Sequence, residues 1–261
     1  MLRPQLTAIV FGGALAIIAP STAQPKFDHD YSTYAHILSQ FLVDGRVDYG
    51  NLVDNRDRLD SVVEEFSTVS RLTFSTWSRK ERLAYWINVY NLYTLRVIVD
   101  HYPIQGSRLS LYPLNSIQQI DGAWDTITWK AGGRIVTLDE IEHDILRPTF
   151  GEPLLHFAIN CAAVSCPPLR NEPYRADTIE TQLADSTRGT LAKTNWLRLD
   201  GDTLYLTAIL DWFGEDFVSR FAHTISANRS ERDRALLGLV ATHGPSEIAS
   251  LAHTGTPRIR F

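Results

Sequence analysis

The stretch SRKERLAYWINVYNLYTLRVIVDH, residues 78–101, decides the architecture. Ser78 followed three residues later by Glu81 is a capping box, in which hydroxyl and carboxylate each take one of the free amides at a helix start. Leu83, Trp86, Ile87, Val89, Tyr90, Leu92, Tyr93, Leu95, Val97 and Ile98 then cover nearly every face of the turn that follows. A helix apolar all round is a buried one. The spacing therefore predicts a central helix from Arg79 to about His101, closed by Pro103.

Reading outward toward the N-terminus, Leu59, Val62, Val63 and Phe66 mark an amphipathic surface helix, and Tyr34, Ile37, Leu38, Phe41 and Leu42 mark another. Asp44-Gly45 ends that first helix, and Val47 to Tyr49 reads as extended. In the other direction, Thr126 to Val136 alternates around Gly132-Gly133, the pattern of a β-hairpin. Thr137-Leu138-Asp139-Glu140 is a second capping box, opening a short helix that Pro148 is expected to stop. Leu154 to Asn160 reads as a buried strand with Cys161 at its exit. A helix starts at Asp177-Thr178-Ile179-Glu180, and Trp196 to Thr207 is a hairpin turning at Asp200-Gly201-Asp202. Trp212, Phe213, Phe217 and Phe221 are expected to line one following helix, with one or two weaker helices in the tail. Helices lead, hairpins interrupt, and no regular strand–helix alternation appears. The expected class is α+β: a single domain in which a central buried helix and surrounding helices pack on a small, mainly antiparallel sheet built of hairpins.

The first residues address compartment. Arg3 precedes an uncharged run from Leu6 to Ala19, Pro20 breaks it, and Ser21-Thr22-Ala23 offers small residues to a signal peptidase. As a helix the run rises only ~21 Å, short of a ~30 Å hydrocarbon core. We therefore expect a signal peptide over residues 1–23, cleavage after Ala23, and a periplasmic or secreted single domain over residues 24–261 with no transmembrane segment. The net charge of −5 argues against nucleic-acid binding, which needs an excess of phosphate-neutralising cations.

The chemistry concentrates between Asp139 and Leu169. The run contains Leu138-Asp139-Glu140-Ile141-Glu142-His143, then Arg147-Pro148, then His156-Phe157-Ala158-Ile159-Asn160-Cys161 and Ser165-Cys166-Pro167-Pro168-Leu169. With Tyr85-Trp86-Ile87-Asn88-Val89-Tyr90-Asn91 on the central helix, these blocks resemble domain-of-unknown-function family 547, in the family's order, over roughly residues 81–217. The family's pattern continues past an Arg-Ile-Arg-like stretch with an aromatic, Asp-containing segment, whereas here Arg258-Ile259-Arg260 is followed only by Phe261. The resemblance implies an architecture and a set of characteristic positions but no activity.

Two functional readings remain open. In the first, an exported thiol hydrolase or acyl-transfer enzyme, Cys161 is the nucleophile and His143 the general base. Asp139 and Glu140, four and three residues before His143, are its candidate orienting groups, and Asn88 gives polar support. Asn91, His156, Arg147 and Cys166 are candidates for substrate contacts. Regular strand alternation would put His156 and Cys161 on opposite faces. In the second reading the protein is a non-catalytic cell-envelope module with a structural Cys161–Cys166 disulfide, the default for two near cysteines outside the cytoplasm. Its ligand would be a small molecule, a peptide or an envelope polymer. There Asn88 and Asn91 satisfy loop backbone, His156 is a hydrogen-bonded core residue, Arg147 pairs with a neighbouring Glu, and His143 lies against a helix C-terminus. No cofactor is implied, and His143, His156 and a thiolate match no standard zinc spacing.

Overall fold

The computed structural model describes residues 26–43, 45–163, 165–226 and 228–261. The expected signal peptide, residues 1–23 with cleavage after Ala23, lies outside them. The first helix, α1 (Ser32–Phe41), buries Tyr34, Ile37, Leu38 and Phe41 as their spacing predicts. A two-strand ladder of β1 (Leu42–Val43) and β2 (Arg46–Val47) leads to α2 (Tyr49–Asp54) and the amphipathic α3 (Arg56–Ser67). After α4 (Arg71–Ser75) comes the long central helix α5 (Arg79–Asp100).

Both arms of the α5 capping box are present. Glu81 N donates to Ser78 Oγ at 3.2 Å, and Ser78 N donates to Glu81 Oε2 at 2.7 Å. From Leu83 to Val99 every residue except Arg96 is buried, and Arg96 pairs with Asp60 and Asp100 at the surface end. Such a helix can carry polar atoms only where another part of the chain answers them. The Tyr85 hydroxyl donates to the Phe66 carbonyl at 2.9 Å and accepts from Gly132 N at 2.9 Å. It thereby ties α3, α5 and the next hairpin together. That hairpin pairs β3 (Trp129–Ala131) with β4 (Arg134–Val136). Gly132 and Gly133 both have positive φ, 55° and 72°, as the tightest hairpin turn requires.

Just past the hairpin the chain departs from expectation. The second capping box forms, with Thr137 N on Glu140 Oε2 at 2.8 Å, but the helix it opens is a π-helix over Glu140–Leu146. Pro148 does not stop it. The proline falls in the first turn of α6 (Arg147–Phe150), where its missing N–H is not needed. Leu154 to Asn160 is not a strand. Pro153–Phe157 is a 3₁₀ helix whose Leu154 amide is capped by Glu152 Oε1 at 3.0 Å. A short buried apolar run does not distinguish strand from helix by periodicity, and among the described residues no strand pairs with it.

The remainder comprises α7 (Ile179–Leu191), the hairpin of β5 (Leu197–Asp200) and β6 (Thr203–Leu206), then α8 (Ala208–Trp212) and α9 (Val218–Phe221). The aromatic helix expected after β6 is thus broken by a 3₁₀ turn over Gly214–Phe217. α10 (Glu231–His243) and α11 (Ser246–His253) close the helical layer, and β7 (Arg258–Arg260) adds to β6 in parallel. The class is α+β, with its strands in three separate small sheets rather than one. One continuous core runs from Tyr31 to Ala252. Among the described residues no helix is long and apolar enough to cross a membrane.

Asn88 is 1% exposed, gives its amide to the Tyr174 carbonyl at 2.8 Å, and accepts from Tyr174 N at 2.9 Å. Asn88→Ala strands both backbone groups, so urea unfolding should show a loss of about 3 kcal/mol. A loss below ~1 kcal/mol would mean that Tyr174 finds other partners.

Candidate functional site

A cleft of about 310 Å³ opens between α5, the π-helix, the segment after Pro153–Phe157, and α8. Its wall includes Asp139, Glu142, His143, His156 and Cys161. The 3₁₀ conformation of Pro153–Phe157 removes the strand alternation that would have separated His156 from Cys161, and both face the same cavity. The rest of the wall is largely aromatic, with Tyr90, Trp124, Trp212 and Phe213. Trp124 is brought there by its carbonyl, which accepts from Asp139 N at 3.0 Å. Its Nε1 is buried without an acceptor among the described residues.

The electrostatic centre is Asp216, on the 3₁₀ turn between α8 and α9. His156 Nε2 lies 2.8 Å from Asp216 Oδ2. Arg147 grips the same carboxylate with two bonds, Nε to Oδ2 at 2.8 Å and Nη2 to Oδ1 at 3.0 Å. Burial works to raise the Asp216 pKa, but the hydrogen bonds from His156 and Arg147 outweigh it and hold the carboxyl well below the usual range. In return, the Asp216 hydrogen bond raises the Arg147 pKa despite partial burial. Phe213 is sandwiched into the arrangement. The His156 ring stacks on it at 4.6 Å, and the Arg147 guanidinium sits 4.7 Å from its centroid.

The π-helix changes what His143 can reach. The i−3 and i−4 neighbours of an α-helix share a face, but a π-helix turns by more residues and shifts that register. Glu140 is turned back onto the Thr137 amide by the capping box and Asp139 lines the cleft, but no hydrogen bond joins either to His143 among the described residues. The partner of His143 is Arg147, whose Nη1 lies 3.3 Å from His143 Nδ1. A ring that accepts at Nδ1 carries its proton on Nε2, as a donor. Glu142 accepts from the Tyr90 hydroxyl at 3.2 Å. Burial first, and the Glu142 charge second, keep that phenol protonated far above its ordinary range.

The two amides of α5 support the site without lining it. Asn88 holds Tyr174, as above. Asn91 donates to the Ala158 carbonyl at 2.9 Å and accepts from Asn160 N at 2.8 Å, which fixes the chain between His156 and Cys161. Arg147 pairs with Asp216 rather than with a neighbouring Glu. Cys161 and Cys166 form a disulfide, and there is no free cysteine among the described residues. Cys161 is half-buried at the cleft and Cys166 is buried beneath it. No group of three or more metal-ligating side chains comes together among the described residues.

Sequence reasoning missed Asp216, Trp124 and Phe213. Asp216 lies sixty positions beyond His156, in a run read only for its aromatic spacing. The pair of acids set among aromatics, Trp212-Phe213-Gly214-Glu215-Asp216-Phe217, was the available signal.

With the site in place, comparisons with known proteins bear out the family resemblance. Residues 74–189 match the family described as protein of unknown function, DUF547. No curated protein and no solved structure gives a significant match.

A carboxyl whose folded pKa lies below its unfolded value stabilises fully above the unfolded value, near 3.9, and loses that contribution as pH falls through the folded value. Asp216→Asn should therefore lower the melting temperature most near neutrality. The gap to wild type should close as pH falls below about 4. A gap that stays constant from pH 7 to 2 would contradict the assigned pairing.

Proposed function

Taking the DUF547 match over residues 74–189 as the premise, we propose that this protein is an exported thiol-dependent hydrolase or acyl-transfer enzyme. Its nucleophile, Cys161, is closed off by Cys166 until a dithiol reductant opens the disulfide. The observation that carries this reading is the meeting of Cys161, His143 and His156 in one cleft, with His156 Nε2 already 2.8 Å from the Asp216 carboxylate. A nucleophile, a histidine and a carboxylate that orients the histidine are the parts that acyl transfer needs. Export is supported by the pattern of residues 1–23 and by the disulfide, which persists in oxidising compartments.

In this reading His156 replaces His143 as the base, because His156 holds the carboxylate partner. With Nε2 on Asp216, its Nδ1 is the nitrogen left to take the Cys161 proton. The thiolate adds to the acyl carbon, and the leaving group departs with that proton. Water or a second nucleophile then releases the thioester. His143, accepting from Arg147 at Nδ1, has Nε2 to donate to the developing oxyanion. The π-helix that carries Glu142 and His143 fits a functional role, since such segments are concentrated at sites.

A second reading is favoured by one observation. Cys166 is 5% exposed, as a structural staple would be. Such a small loop stabilises by ~2 kcal/mol in the chain-entropy model. The protein would then be a non-catalytic envelope module that binds a small molecule, a peptide or an envelope polymer against Trp124, Trp212 and Phe213.

Alkylation with and without prior reduction, followed by a screen of activated esters and peptide amides, separates the two. For the enzyme, reduced protein alkylates fastest at Cys161 and turns over esters. Cys161→Ala abolishes that turnover, and His156→Ala lowers it by about 10²-fold or more. If reduced, folded protein turns over none of the substrates and Cys161 reacts no faster than an unfolded control, the thiol-enzyme reading fails and the binding module stands.

A further inference from the structure

A second surface, away from the cysteines, carries chemistry that neither functional reading uses. The connection between α5 and the first hairpin projects Leu109 and Leu111 almost wholly into solvent, at 96% and 99% exposure. Tyr102, Tyr112 and Leu114 beside them are about half exposed. Isolated exposed leucines are ordinary, but a contiguous apolar projection marks a contact surface. From His101 to Ile120 the segment holds one arginine, Arg108, and no carboxylate, in a chain whose net charge is −5.

This projection is built rather than loose. Gln119 staples it from beneath. Its Oε1 accepts from Ser107 N at 3.1 Å, and its Nε2 donates to the Ser107 and Tyr112 carbonyls at 3.2 and 2.9 Å. Gly106 N donates to the Leu114 carbonyl at 2.9 Å and closes the loop at its base. Gly106 is needed there, because a Cβ would fall 2.4 Å from the Gln119 side chain. Ser107 and Ser110 hydroxyls take the amides of Leu109 and Tyr112, each at 3.2 Å. Much of the loop's backbone polarity is therefore met internally, the condition for entering a medium without water.

From this we infer that the loop bearing Arg108, Leu109, Leu111, Tyr112 and Leu114 is a membrane-surface anchor, which seats the protein on an anionic lipid bilayer. A convex knob matches a fluid surface better than a preformed protein groove. Tyr112 has the amphipathic ring that settles at headgroup level. Arg108, in a segment that carries no carboxylate, is attracted by anionic headgroups. Gln118, just past the loop, lines the cleft, so an anchored loop holds the cleft mouth near the bilayer.

Flotation with phosphatidylglycerol-containing vesicles tests this, with wild type and variants sharing the same N-terminus because residues 6–19 are themselves apolar. A local readout comes from Asn115→Cys labelled with an environment-sensitive dye, since both native cysteines are in the disulfide. The dye should shift to the blue on vesicles. Leu109→Ser with Leu111→Ser should lower the partition coefficient about tenfold per leucine, with an unchanged melting temperature because both side chains are exposed. Arg108→Glu should weaken binding to anionic vesicles but not to zwitterionic ones. An unshifted dye, or equal flotation of the double variant, overturns the proposal. So does leucine-dependent dimerisation in the absence of lipid.

Discussion

One buried amide holds the site in place. Asn91 sits on a helix enclosed by apolar side chains, where water cannot answer a polar group, so its donor and its acceptor must both find protein partners. They find them on the same irregular segment, at Ala158 and Asn160. His156 lies two residues before this clamp and Cys161 one residue after it. The central helix thereby sets where the histidine ends and where the disulfide begins. Asn88, one turn earlier, does the same for the chain at Tyr174. The helix is both core and template, and its polar residues are few because each must be matched.

Charge organises the opposite wall. Asp216, Arg147 and His156 form a group in which one carboxylate serves two donors, with Phe213 as a shared aromatic floor. Such a group holds its geometry because releasing any member would leave the others partly buried and unpaired. Arg147, at the start of α6, lies 3.3 Å from His143 one turn before it, which brings both histidines into the Asp216 network. The cleft combines this fixed polar wall with an aromatic one. A ligand would be oriented by the former and held by the latter.

The disulfide and the Gln119-stapled loop show two ways in which the surface is constrained without a large core. The disulfide closes a short loop at the cleft itself, with Cys161 half-buried and Cys166 buried. The stapled loop uses side-chain amide bonds to present apolar residues that folding alone would have buried. Both are local devices, set by residues no more than twelve positions apart.

That locality explains what was legible. Capping boxes, the Gly132-Gly133 turn, the all-round apolarity of residues 83–99 and the nearness of the two cysteines are short-range patterns, and each appears in the structure as an element, a turn or a bond. Tertiary structure decided what depends on partners far along the chain. Leu154 to Phe157 is 3₁₀ rather than strand because no strand among the described residues offers it a ladder. Glu140 caps its own helix instead of serving His143, because its carboxylate answers the Thr137 amide three residues back. His156 became part of a charged network only when the fold brought Asp216 to it. By itself the sequence determined the helical core and the hairpins, since propensity, turn geometry and apolar periodicity act over a few residues, whereas it left the two cysteines open between a disulfide and free thiols. The arrangement of the cleft was decided in three dimensions, because hydrogen bonds and charges select partners by distance in space and not by position in the chain.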